Sequence, residues 1–369
     1  MKTRDLSYDI VKLGGVFCIV LGHAYFNTRI TSLFYVPLFW IVAGYFINDH
    51  KSIKKLLLEK VKRLYIPFVV SNTIYCLVRN LGCSLNMYSY SYSIGTLLNK
   101  FLHIILFNIE DEMGSASWFL FALFISEIFF YVLMLCIKSF ALNKNKDCFL
   151  GTVCLMLFLI GYVFRDNFNT IVYCNCSIVT IILISMPFYL VGYFSKKYEI
   201  INNMLYQKSK IQKLSLCIGL ITIVTTTAYV DNMHMDYRSC HFTNCICTII
   251  IPYLGFIFFI SIAGNYIVPI LEKFQCIKKI IAFSGQNTLY ILLYHVIGFQ
   301  IVSFVQVKMF AYSYYDFSGW SSFAAVGLWK YLAAFLGIII PLILRYVVKI
   351  LKQCIRRFIL SNVNSCRFI

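Results

Sequence analysis

The residues most able to do chemistry stand where they are least expected. The stretch DIVKLGGVFCIVLGH, residues 9–23, is an apolar run that carries a carboxylate at Asp9, an amine at Lys12 and an imidazole at His23. An imidazole exchanges a proton near neutral pH, and an ammonium holds an anion. In a helix, at about 100° per residue, the step from Lys12 to His23 closes three turns plus about 20°, so the two point the same way. Asp9 and Lys12, three residues apart, are neighbours on that face and can pair. The resulting polar stripe is about 16 Å long between Lys12 and His23. Gly14, Gly15 and Gly22 keep the helix slim, so that other helices or a ligand can approach. Plainer roles exist for each group. Lys12 can snorkel to headgroups with Asp9 as its partner, and His23 can donate one hydrogen bond between helices. Three ionisable groups on one stripe favour function, because such groups are expensive inside a membrane and usually do work there.

A second imidazole sharpens the case. SGQNTLYILLYH, residues 284–295, ends on His295. The rise from residue 281 to His295 is about 21 Å, and from residue 8 to His23 about 22 Å. If both runs cross in the same direction, the two rings lie at similar depth and can meet across a shared cavity. Gln286, Asn287 and Thr288 place hydrogen-bonding groups at the other end of that run. Glu127, in WFLFALFISEIFFY, is the other buried acid, about 15 Å from the boundary at Ser117. It can orient a histidine, pair with a base, or bond the hydroxyls and amides of a neighbouring helix. His50, His103, His234 and His241 fall in loops or surface pieces and are given no role.

The elements that must position these groups follow from composition. The chain has 369 residues, 60% hydrophobic and 13% charged, about half the charge of a soluble domain, which carries about 25%. The apolar residues come in continuous blocks of about twenty, the length of a membrane-spanning helix. A transmembrane barrel would instead show alternating segments of about ten. The expected fold is all-α: a polytopic membrane protein, a bundle of about ten transmembrane helices, over residues 8–27, 31–47, 64–80, 117–137, 148–164, 171–194, 214–230, 245–264, 281–305 and 328–348. Of the 33 Lys and Arg residues, 25 fall on the side of the N-terminus and seven on the opposite side, with Lys12 inside a span. That asymmetry places both termini in the cytoplasm. It also accounts for the net charge of +18 as orientation signal and contact with anionic membrane lipids, not as a nucleic-acid footprint. Lys12 interrupts the first run and no small-residue cleavage site follows, so that run is expected to stay in the protein.

A single domain over 1–369 is expected. The 15 cysteines show no paired C-x-x-C spacing and read as small apolar filler. Residues 81–116 form the longest piece outside the spans. It holds NMYSYSYS, an amphipathic stretch LLNKFLHIILFNI expected on the membrane surface, and the acidic cluster Glu110, Asp111 and Glu112. The aromatic loop 311–320, AYSYYDFSGW, is either an interfacial belt or a platform on which sugar rings stack. No internal repeat stands out, which argues against an inverted-repeat transporter.

These stretches in series resemble the acyltransferase-3 family of bacterial membrane acyltransferases, which modify glycans and other cell-envelope molecules. DIVKLGGVFCIVLGH is similar to that family's first span, where an acid, a Lys or Arg, and a His eleven residues later recur. FYVPLFWIVAGYF, residues 34–46, resembles its second span, KRLYIPF, residues 62–68, its basic inner loop, and WFLFALF, opening on Trp118, its fourth span. SGQNTLYILLYH resembles a late span. The family often has His where this chain has Tyr35. A phenol, with a pKa of about 10, is a poor base at neutral pH, which concentrates the case on His23.

The resemblance implies transfer of an acyl group, usually acetyl, from acetyl-CoA in the cytoplasm to a hydroxyl of a polysaccharide or lipid-linked glycan, at the bacterial inner membrane. The acyl-CoA is a donor substrate; no permanent cofactor and no metal are implied. A phosphate-bearing donor needs a basic mouth, for which Lys12, Lys62 and Arg63 are candidates. Its thin pantetheine arm can thread along the polar stripe toward His23. His23 is then the general base or the acyl carrier, with His295 or Tyr35 as a second polar contact and Asp9 fixing Lys12. Glu127, Asn287 and Trp118 count as supporting residues. Two other readings fit ten polar-lined helices: a transporter or flippase for a glycan intermediate, and a membrane glycosyltransferase or glycan polymerase. The second would bring outer carboxylates or arginines for a diphosphate donor, and the outer side has few.

Overall fold

The computed structural model describes residues 5–85, 87–88, 90–140, 145–168, 172–173, 176–201, 218–221, 225, 233, 235–310 and 327–365. Helix α1 (Leu6–His23) begins at Asp5, whose carboxylate accepts the Ser7 N–H at 2.9 Å, a side-chain cap on an otherwise unmade donor. It ends at His23 because Tyr25 takes a left-handed φ of 61°. A 3-10 turn (Thr31–Leu33) leads into α2 (Tyr35–Phe46). Helix α3 (Ile53–Lys60) is capped by Ser52 and runs through a π-helical turn (Val61–Tyr65) into α4 (Ile66–Ser84). An amphipathic α5 (Ile94–Ile105) lies largely exposed. A second 3-10 turn (Glu112–Ser117) opens α6 (Trp118–Phe140), followed by α7 (Lys146–Val163), the short α8 (Arg165–Phe168) and α9 (Ile178–Lys197). Helix α10 (Cys245–Ile262) passes through another π turn (Ala263–Ile267) into α11 (Val268–Lys273). Helices α12 (Gln275–Gln286), α13 (Thr288–Phe310) and α14 (Trp329–Ser365) complete the bundle. Two antiparallel two-stranded ribbons sit among the loops: β1 (Val172–Tyr173) with β2 (Cys176–Ser177), and β3 (Met235–Asp236) with β4 (His241–Phe242).

Seven helices among the described residues are long and apolar enough to cross a membrane: Leu6–His23, Glu112–Ser139, Lys146–Val163, Ile178–Lys197, Cys245–Lys273, Thr288–Phe310 and Trp329–Ile355. The protein is an all-helical, multi-pass membrane protein. Two further expected spans are different in kind. Helix α2 has only 12 residues, and α4, at 19, carries Ser71, Asn72, Thr73, Arg79 and Asn80. The expected span 214–230 falls mostly outside the described residues, and the aromatic loop 311–320 wholly so. The expected span 281–305 is two helices, broken at Asn287. There the side-chain amide donates to the Phe283 carbonyl at 2.7 Å, and the backbone leaves helical geometry at φ −116°.

Close helix approach, which lipid does not drive, depends on small residues. A Cβ on Gly192 would lie 1.9 Å from the Ile41 carbonyl oxygen, so α9 and α2 touch backbone to backbone. A Cβ on Gly285 would lie 2.4 Å from the Asp9 carbonyl oxygen. That contact presses α12 against the polar start of α1, which packs in turn on α2, α10, α13 and α14. The acidic cluster is tied to neighbouring cations. Asp111 pairs with the buried Arg79 at 2.5 Å, and Glu110 takes Lys100 at 3.2 Å and His103 at 3.0 Å. The rings of Tyr88, Tyr90 and Tyr92 surround the Arg79 guanidinium. These ties hold the segment between α4 and α6 over one end of the bundle.

Candidate active site

The two imidazoles meet. His23 Nδ1 lies 2.8 Å from His295 Nε2, with the rings 13° from coplanar. The second helix dictates the tautomers. His295 Nδ1 faces two carbonyls of its own helix, Leu292 O at 2.9 Å and Ile291 O at 3.2 Å. A carbonyl only accepts, so Nδ1 carries the proton and donates to it. His295 Nε2 is then an acceptor, and His23 Nδ1–H donates to it. By the same logic His23 Nε2 bears the lone pair. A helix-backed histidine thus fixes the ring and tautomer of a second histidine, leaving the lone pair on its outer nitrogen. His295 is fully buried and its ring meets the Phe299 edge. His23 sits at the last residue of α1, where the chain turns away.

One cavity is lined by His23 and a second shares two wall residues with it, and the two differ in chemistry. The one His23 lines has a volume of about 240 Å³ and is walled by Tyr35, Trp118, Ser32, Ser115, Asp236 and Arg238. The other, about 550 Å³, opens at the basic end of the bundle. Lys12, Lys60, Lys62, Arg63 and Arg345 line it against one carboxylate, Glu127. Phe119 and Leu292 belong to both walls. They therefore mark where the cavities abut, and Leu292 O is the carbonyl that holds His295.

Four of the five cations of the larger cavity, Lys12, Lys60, Arg63 and Arg345, are positioned by a neighbour. Lys12 pairs with Asp9 at 2.8 Å, one turn back on α1. Lys60 pairs with Glu127 across from α3 to α6. Arg63 reaches back to Glu59 at 3.0 Å and stays largely exposed at the mouth, on the same π turn as Lys62. Single π turns recur at functional sites because they re-aim the side chains of a helix. Glu59, outside the spans, also accepts from Lys51 at 2.6 Å, and that hydrogen bond holds its carboxyl below the usual range. Arg345 is the most constrained. Asn287 Oδ1 accepts from its Nε at 2.9 Å, and its guanidinium lies 4.2 Å from the Tyr290 ring centre. A guanidinium fixed this way keeps its other donors aimed, the geometry that suits phosphate.

The structure thus gathers the expected residues into three groups. His23 and His295 form the pair. Tyr35 and Trp118 line the smaller cavity; Lys12, Lys62, Arg63 and Asn287 line the larger one, with Asp9 behind Lys12. Of the roles open to Glu127, pairing with a base is the one observed, and the base is Lys60, not a histidine. Sequence reasoning missed Lys60, Ser115, Asp236, Arg238 and Arg345 as site residues. Arg345 carried a usable signal, a lone cation late in an apolar run. Arg238 and Asp236 carried none, since they lie in a polar stretch between helices.

The acyltransferase-3 family model, described as an acyltransferase domain, matches residues 5–346. No curated protein and no solved structure matches the chain.

Proposed function

The chain belongs to the acyltransferase-3 family, and on that premise we propose that it moves an acetyl group from acetyl-CoA to a hydroxyl of a cell-envelope or capsular polysaccharide sugar, or of its lipid-linked precursor. The protein is a membrane acyltransferase. The observation that supports the finer reading is a histidine, oriented by a second one, in the wall of a small cavity of mixed aromatic and polar lining that shares Phe119 and Leu292 with a larger cationic cavity.

The larger cavity takes the donor. Its phosphates meet Arg63 and Lys62 at the mouth and Arg345 further in, with Lys12 held ready by Asp9. On this reading the basic end faces the cytoplasm, in line with the charge asymmetry of the loops, and the membrane is the bacterial inner membrane. The narrow pantetheine arm runs past Phe119 and Leu292 and brings the thioester toward His23.

In the transfer, His23 Nε2 accepts the proton of the acceptor hydroxyl as its oxygen attacks the thioester carbonyl. The C–O bond forms, the C–S bond breaks, and the proton leaves His23 for the thiolate, giving CoA and the ester. His295 stays neutral: it accepts from His23 Nδ1–H and so steadies the imidazolium that forms in between. Removing the base should lower the rate about 10²- to 10⁴-fold. The test is transfer of labelled acetate from acetyl-CoA to surface glycan by purified protein in vesicles, comparing wild type with His23→Ala and His295→Ala. Full transfer by correctly folded His23→Ala would end this assignment. Movement of glycan across the vesicle without consumption of acetyl-CoA would favour transport instead.

A further inference from the structure

The smaller cavity carries chemistry that the donor has no use for. Two observations there point to a ligand. Ser115 is 7% exposed, yet its hydroxyl, on the cavity wall, has no hydrogen-bond partner among the described residues. A buried hydroxyl without a partner is unfavourable and gains one when a polar ligand arrives. The second is Arg238, which the β3–β4 ribbon carries into the wall. Its backbone is fixed at both ends: Arg238 N–H donates to Asp236 Oδ1 at 2.9 Å, and Ser177 N–H donates to Arg238 O at 3.4 Å. Tyr237 between them is buried against Trp40 and Phe188. The Asp236 carboxylate is engaged by its own turn, also accepting from Ser239 Oγ at 2.6 Å. A guanidinium on so fixed a mount suits a planar or tetrahedral oxyanion.

His23 lines this same cavity, so an acceptor seated here presents its hydroxyl to the base. We propose that the cavity binds one hydroxylated unit of the acceptor that carries an anionic oxygen group, with Arg238 meeting the charge, Ser115 a hydroxyl and Trp118 a face of the ring. This rests on the acyl-transfer reading above. The anionic group can be a carboxylate or a phosphate; both present the same oxygen edge to arginine.

The test uses the full-length protein in detergent micelles, which expose both faces, with labelled acetyl-CoA and three acceptors: methyl glucuronide, the 6-phosphate of methyl glucoside, and methyl glucoside itself. The readout is kcat/KM for each charged acceptor relative to the neutral one. Wild type should favour one charged acceptor by at least about tenfold, and which one identifies the group. Arg238→Gln should bring that ratio close to one, and Arg238→Lys should restore part of it. Ser115→Ala should raise KM for the favoured acceptor several-fold with little change in kcat. Equal use of all three acceptors by wild type, or transfer to none, overturns the proposal. So does an Arg238→Gln enzyme that slows all three alike, since a merely structural arginine would do that. An unchanged KM in Ser115→Ala removes the serine from the site. Failure of the underlying reading looks different: wild type then moves no label from acetyl-CoA to native surface glycan either.

Discussion

At the scale of the residue, the histidine pair and Arg345 have their protonation or direction imposed by neighbouring groups. Leu292 O can only accept, so His295 must donate to it, and His23 inherits its tautomer from that constraint. Arg345 is likewise held by Asn287 and Tyr290. Replacing Arg345 with Lys keeps the charge but loses the fork that Asn287 holds, and Lys is a point charge on a flexible stem. Arg345→Lys should therefore raise KM for acetyl-CoA by about tenfold, about the discrimination of one charge-assisted hydrogen bond, with kcat less affected. Asn287→Ala should move KM the same way by a smaller factor. Steady-state kinetics against donor concentration measure both, and a KM at the wild-type value in Arg345→Lys would remove it from the donor site.

At the scale of the element, the loop between α2 and α3 is tied to two spans by one carboxylate. Asp49 accepts from Lys138 of α6 and from the Tyr193 hydroxyl of α9 at 3.1 Å. Partial burial pushes its carboxyl up, but the Lys138 ammonium more than offsets this, leaving it below its ordinary value of 3.8. A carboxyl depressed in the folded state stabilises fully above its unfolded pKa, and that stabilisation is lost as pH falls through the folded value. Asp49→Asn should thus lower the melting temperature of the detergent-solubilised protein at pH 7. The gap to wild type should shrink below about pH 4, where an unfolded Asp begins to protonate. Thermal unfolding followed across that range checks the sign. A gap that grows on acidification would mean the tie is not ionic.

At the scale of the whole molecule, two cavities of different character share Phe119 and Leu292 in their walls, and His23 lines the smaller one. On the proposed reading the two substrates enter from different ends. In sealed vesicles of known orientation, acetyl-CoA, which does not cross lipid, should support transfer only when added on the lysine-rich face. Equal turnover from either face would show that the larger cavity is not the route of the donor.

The sequence by itself determined that the protein is a helical bundle in a membrane, because twenty-residue apolar runs have no other stable form in lipid. It also determined the shared face of Asp9, Lys12 and His23, because helical periodicity is local and fixes direction from spacing alone. Similar depth for His23 and His295 followed from counting rise. Only the tertiary structure decided that the rings touch, since contact depends on how α1 and α13 rotate about their axes, which no count along the chain records. It alone gave Glu127 to Lys60, broke the expected span 281–305 at Asn287, and brought the ribbon bearing Arg238 over His23, 215 residues away in sequence. The break at Asn287 is made locally, by its own amide on the Phe283 carbonyl, but the other two are contacts between distant segments, set by close helix packing at positions such as Gly192 and Gly285 rather than by any local preference.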